Sequence, residues 1–171
     1  QITSGDHDEA LPAWPPDGRQ IAYVTRRGGE PDRHSNFDIY LVEPRAGATE
    51  RRLTSFDGAD NDPDLESPIS WSPDGRQLAF VQGGEDKWIY YAPNQLAIVD
   101  VATGRTRVPA PIDRWFTQPR WSPDGRSVLA LIEQSRVINL SRIEVASGKV
   151  TPLTAGPRFD AGFAASKQER I

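Results

Sequence analysis

The side chains that could carry chemistry gather in a few short stretches. Asp60-Asn61-Asp62-Pro63-Asp64 sets carboxylates at every second position, the spacing of a calcium loop. The pattern then fails, because Leu65 stands where such a loop turns on Gly and Trp71 where it closes on Glu. A solvated acidic loop is the expectation. Glu85-Asp86 is a second acidic pair. Adjacent carboxylates can hold a substrate ammonium through charge-assisted hydrogen bonds, or they can form a solvated hairpin tip. Trp88, Tyr90 and Tyr91 follow and could line a pocket or pack between structural units. Arg114, Trp115 and Phe116 form another charged and aromatic stretch. Glu85, Asp86, Tyr90, Tyr91, Arg114 and Trp115 are the candidate substrate-binding residues. His7 and His34 each lack a second His nearby, which argues against zinc.

No catalytic set accompanies them. The sequence has no Gly-x-Ser-x-Gly elbow, no phosphate loop and no His-Glu-x-x-His. With no Cys, thiol nucleophiles, thiolate metal sites and disulfides are excluded together. No catalytic residue, metal or cofactor is assigned. The chain has 171 residues and a net charge of −4, so neither nucleic acid nor an anionic membrane is expected as a partner. No apolar run is long enough to span a bilayer. The chain starts at Gln1 and holds no Met, which suggests processing or excision from something longer.

The elements that must position these residues come from a repeat. Trp14-Pro15-Pro16-Asp17-Gly18-Arg19 recurs as Trp71-Ser72-Pro73-Asp74-Gly75-Arg76 and as Trp121-Ser122-Pro123-Asp124-Gly125-Arg126. Pro presets the first central turn angle, Asp suits the second, and Gly takes the left-handed position that follows. Each motif is therefore a hairpin turn. An apolar run follows each one, Ile21 to Val24, Leu78 to Val81 and Val128 to Leu131, and then a second run after a variable loop. Each unit reads as a four-stranded antiparallel meander, the unit of a β-propeller. The fold class is all-β, with three complete blades at about 10–54, 67–109 and 117–154, and the start of another at 160–171. In that last segment Ala165 takes the Trp position and 166–170 the turn. Trp14, Trp71 and Trp121 are expected in the core between blades.

A meander places alternate connections at opposite ends. One end carries the short repeated turns, and the other carries long irregular loops over 26–36, 56–67, 83–93 and 109–118. Binding residues concentrate on long loops held by a rigid scaffold, so any binding surface belongs to that second end. Three blades leave two open sheet flanks, which implies further blades or self-association.

The repeat resembles that of TolB-type propellers. Gly28 to Arg33, Phe37 to Val42, Trp88 to Ala92 with Asn94-Gln95-Leu96, and Pro119 to Ser122 narrow the likeness further. Together they resemble the propeller of prolyl oligopeptidase family serine peptidases, acylaminoacyl- and dipeptidyl-peptidase-like. The resemblance implies a non-catalytic segment that gates peptide access to a separate α/β-hydrolase domain with a Ser-Asp-His triad. No position of this chain receives a triad residue. The remaining blades, that hydrolase domain and peptide substrates are the implied partners. The alternative is a TolB-like periplasmic scaffold that binds proteins and has no activity. Bacterial cytoplasm and periplasm both stay open as compartments.

Overall fold

The computed structural model describes residues 2–27, 34–88 and 91–166. Its described strands form three antiparallel sheets. The first runs β1 (Glu9–Ala13), β2 (Ile21–Thr25), β3 (Asp38–Val42) and β4 (Arg51–Arg52), in that order. In the second, β5 (Gly58–Asp60) and β6 (Ser70–Trp71) both pair with β7 (Gln77–Glu85), which leads to β8 (Gln95–Asp100) and β9 (Thr106–Arg107). The third runs β10 (Trp115–Trp121), β11 (Ser127–Gln134), β12 (Val137–Glu144) and β13 (Val150–Pro152). Among the described residues, helix is confined to 3₁₀ turns at Pro63–Leu65 and Asp86–Trp88.

Packing follows from strands that are apolar on both faces. Ala22, Val24, Ile39 and Leu41 of the first sheet meet Trp71, Leu78, Phe80 and Val99 of the second. The opposite face of the second sheet offers Ala79, Leu96 and Ile98 to Phe116, Trp121, Val128 and Ile143 of the third. Side chains alternate across a strand, so continuous apolar runs are what a sheet covered on both sides requires.

The repeated turns form as their residues dictate. Gly18, Gly75 and Gly125 have φ of 65°, 70° and 68°, in the left-handed region. Gly75 N donates to Ser72 O at 2.9 Å and Gly125 N to Ser122 O at 3.0 Å. The Ser72 and Ser122 hydroxyls each donate to the Asp two residues on, at 2.6 Å. Those bonds, with the following Arg N–H, hold the Asp74 and Asp124 carboxyls below their ordinary range.

One device of the first strand of each sheet is invisible in the turn motif. Leu11, Asn61 and Gln118 all have positive φ, at 51°, 70° and 52°. Register shifts bracket Leu11 in β1 and Gln118 in β10, and the two residues stand at the same distance before Trp14 and Trp121. Asn61 makes the same kink further ahead of Trp71, and the extra residues form the excursion that separates β5 from β6. Asn61 ties that excursion down. Its Nδ2 donates to Ser67 O at 2.8 Å, and its Oδ1 accepts from Val81 N at 3.0 Å.

Several expectations need correction. Trp71 and Trp121 are buried, but Trp14 is 55% exposed. Trp71 packs against the first sheet and donates from Nε1 to Ala13 O at 3.0 Å. Trp14 belongs to none of the hydrophobic clusters among the described residues. The outer flanks are also not bare. Ile2 lies against Ile21, Tyr23 and Val42, and Phe163 against Leu129, Leu131 and Leu140. Strand β10 reaches back to Trp115 and β7 out to Glu85, so the loops there are shorter than expected. Finally, the acidic stretch is not uniformly solvated, since Asp60 and Asn61 are 1% and 0% exposed.

Candidate functional site

At the end opposite the repeated turns, the sheets border a half-open cavity of about 750 Å³. The β2–β3 connection contributes Arg26, His34 and Ser35, β5 contributes Ala59, and the 3₁₀ turn after it contributes Asp62 and Asp64. Gly83, Gly84, Asp86 and Lys87 come from the end of β7 and the turn after it, Asn94 from the approach to β8, and Trp115 from the start of β10. The cavity lies at the end of the sheets that carries the long loops.

Most charged groups in the wall already have partners. Asp86 Oδ1 accepts from Ser35 N at 3.0 Å, tying a loop of the first sheet to the second. Asp62 Oδ1 accepts from Asp64 N at 3.0 Å and caps the 3₁₀ turn. Arg26 donates to His34 O at 3.0 Å and lies 5.1 Å over the Phe37 ring. Lys87 pairs with Glu85 at 2.6 Å and sits over Trp88. Asn94 differs. It is 8% exposed, and its carboxamide has no hydrogen-bond partner among the described residues.

Behind the wall, the seam between the first two sheets holds two buried carboxyls. Burial pushes Asp60 up to about 6, against hydrogen bonds from Gln82, Thr54 and Phe56 N, and the charge of Asp38 adds to the rise. Gln82 Nε2 donates to Asp60 Oδ1 at 2.8 Å. Burial also raises Asp38, opposed by Arg52, whose guanidinium lies 2.7 Å from Asp38 Oδ2. Asp38 Oδ1 has no hydrogen-bond partner among the described residues. The same Thr–Asp pairing recurs past the third sheet, where Thr154 Oγ1 donates to Asp160 Oδ2 at 2.6 Å. There Arg158 stands beside Asp160, and the Thr154 hydroxyl, with Arg158, holds its carboxyl below the ordinary range.

Of the candidate residues, Asp86 and Trp115 line the cavity together. Glu85 lies in β7 opposite Gly58 and is engaged by Lys87. Arg114 turns its guanidinium to Asp113 O. Tyr91 is 92% exposed, so it neither lines the cavity nor packs between sheets. Tyr90 and 167–170 lie outside the described residues. Sequence reasoning missed Asn94 and Gly83. A signal was available: a polar residue immediately ahead of a buried apolar strand, with Gly-Gly at the corresponding place on the partner strand.

No family model matches the sequence. Dipeptidyl-peptidase 5 of Porphyromonas gingivalis is 30% identical over 154 residues, which is 88% of this chain and 22% of that protein. TolB from Acinetobacter baumannii superposes over 98% of this chain and 37% of its own, with a TM-score of 0.70 and 25% identity. The β-propeller domain of the Trilobed protease from Pyrococcus furiosus matches 86% of this chain and 42% of its own, with a TM-score of 0.54 and 15% identity. The fold is that of a β-propeller. The relatives include a dipeptidyl-peptidase and TolB, and the chain spans about a fifth of the length of the peptidase it matches.

Proposed function

We propose that the chain is a non-catalytic propeller segment of a serine peptidase, whose cavity end governs the access of peptides to a separate α/β-hydrolase domain. The observation that carries this reading is the relationship to a peptidase over 88% of the chain, confined to 22% of that peptidase. Further sheets complete the propeller on the side of Trp14. At the two sheet junctions, Trp71 and Trp121 are buried, and a Cβ on Gly75 or Gly125 would touch Pro16 or Pro73 of the preceding turn. Likewise, a Cβ on Gly104 or Gly148 would meet the carbonyl of Leu53 or Pro109. On the first sheet Trp14 is 55% exposed, and a Cβ on Gly18 or Gly47 would meet nothing within 4 Å. That face has the contact points of a sheet junction without the neighbour.

The test uses the longer protein that carries this chain. It should cleave short peptides and leave the same sequence untouched inside a folded protein. Asp86→Ala frees the loop held through Ser35, and it should raise cleavage of longer peptides severalfold while a dipeptide ester is turned over as before. Equal cleavage of short peptides and folded proteins would overturn the gate. A second reading, a protein-binding scaffold without activity, is favoured by the extent of the TolB superposition. It predicts no cleavage of any peptide and capture of a protein partner at the cavity end.

A further inference from the structure

We infer that the joint between the first two sheets is a proton-operated latch on the cavity wall, closed while Asp60 carries a proton and loosened when it gives the proton up. Asp60 ties the two sheets together. Its N–H donates to Phe37 O at 2.8 Å. Its carboxyl accepts from Gln82 Nε2 of β7 at 2.8 Å and from Phe56 N, in the connection between β4 and β5, at 3.4 Å. Thr54 Oγ1, in that same connection, accepts from Ile39 N at 2.9 Å and donates to the Asp60 carboxyl. Phe37 and Ala59, on either side of the joint, both line the cavity, as does Asp62. A shift of Asp60 therefore carries the wall with it.

The other junctions show what is particular to this one. Phe116 N donates to Asn94 O at 2.9 Å and Asp160 N to Ile138 O at 3.0 Å, the same bond at the second junction and after the third sheet. The residue that follows the accepting carbonyl is Asp38, Gln95 and Asn139 in turn. The three places thus pair Asp38 with Asp60, Gln95 with Phe116, and Asn139 with Asp160. Carboxyl meets carboxyl at the first. Asp160 also has Arg158 beside it, Nε to Oδ1 at 2.7 Å. At the first joint the guanidinium of Arg52 lies 2.7 Å from Asp38 Oδ2, and the groups that bond Asp60 are neutral.

Two acids at most 2% exposed, served by one guanidinium, are costly to hold charged together. Charged groups of the neighbouring segments are engaged or exposed. Asp57 is exposed, Asp62 caps the 3₁₀ turn, Glu85 pairs with Lys87, Asp86 holds Ser35 N, and Arg26 lies over the Phe37 ring. Burial, with the charge of Asp38 added and the hydrogen bonds opposing, pushes Asp60 up to about 6, so its state changes near neutrality. Protonated, it keeps an acceptor for Gln82 and gains an O–H that can donate to Thr54 Oγ1. Ionised, it sets a second negative charge near Asp38 in a buried seam. Parting of the sheets there relieves both repulsion and desolvation.

This inference rests on the access role proposed above and supplies its regulation, so the test uses no substrate. Hydrogen exchange of the longer protein is followed by mass spectrometry at about pH 5 and about pH 7.5. Each rate is divided by that of an unstructured peptide at the same pH. Protection of segments 35–40 and 58–62 should fall roughly tenfold or more from the lower pH to the higher. Segment 128–132, in the third sheet, should keep its protection and report an intact fold. Asp60→Asn should hold the low-pH protection at both values, and Asp160→Asn should leave the wild-type pH dependence in place. Asp38→Asn should move the midpoint down by about half a pH unit or more, because it removes the neighbouring charge. Equal protection of the wild type at both values would overturn the inference. So would a fall that persists in Asp60→Asn, or an unmoved midpoint in Asp38→Asn. If Asp60→Asn does not fold, the midpoint of Asp38→Asn decides. None of these outcomes bears on whether the longer protein cleaves peptides.

Discussion

Asp60 is the most strongly perturbed acid at the seam between the first two sheets, and its sign is testable. Its carboxyl is pushed up to about 6 in the folded chain. An unfolded Asp titrates near ~3.9, so the folded state holds the proton more tightly. This stabilising contribution is complete below about pH 4 and is lost as pH rises through about 6. Near pH 7.5 the buried charge costs roughly 3 kcal/mol relative to acid conditions, at ~1.4 kcal/mol for each pH unit of displacement. Asp60→Asn removes the charge and keeps an acceptor for Gln82. We expect the variant to be about 1–3 kcal/mol more stable than the wild type at pH 7.5, with the difference closing near pH 4, measured by urea unfolding. A variant less stable at pH 7.5 would show that the charged carboxylate is the favoured form. The acidic stretch was visible in the sequence, but its division was not. A string of alternating carboxylates looks uniform until the kink at Asn61 sends Asp60 inward and leaves Asp64 at the surface.

Among the turns, equivalent glycines face different surroundings. Gly18 and Gly148 both have positive φ, 65° and 71°. A side chain at either meets the backbone penalty of the left-handed region, ~1–2 kcal/mol. Gly18 has open space around it, whereas a Cβ on Gly148 would overlap the carbonyl of Pro109 on the neighbouring sheet. Gly18→Ala should therefore cost ~1–2 kcal/mol. Gly148→Ala should cost a further ~1–3 kcal/mol from overpacking. Equal losses in thermal melts would mean that the turn of the third sheet does not press on the second. The meander, its turns and the apolar pairing were legible because Trp-x-Pro-Asp-Gly fixes each hairpin and two-sided apolar runs demand sheets on both sides. Strand lengths were less so. Gly83 and Gly84 read as loop residues by type, yet they extend β7, because Gly58 and Asp60 on β5 give that strand a partner.

For the whole molecule, the same tryptophan serves three sheets with different outcomes. Trp71→Ala removes a ring packed between two sheets and an indole bond to Ala13 O, and it should cost ~3–5 kcal/mol. Trp14→Ala in this chain touches a half-exposed ring and should cost less than ~1 kcal/mol. In the longer protein, where the proposed neighbouring sheet covers it, the loss at Trp14 should approach that at Trp71. A small loss in both contexts would leave the first sheet without a neighbour. The sequence treats the three tryptophans alike, since a repeat specifies what each sheet offers but not what stands beside it. The end that carries the cavity was legible from loop length, while the place of Asn94 in its wall was not, because that depends on how two sheets meet.

The most direct test of the proposed function is to treat the longer protein with a fluorophosphonate and locate the modified residue by peptide mass spectrometry. The account predicts one labelled serine outside residues 1–171, with peptide hydrolysis lost in proportion to labelling. Labelling within those residues, or peptide hydrolysis that persists with no labelled serine, would contradict it. A protein that is neither labelled nor hydrolytic would favour the scaffold instead.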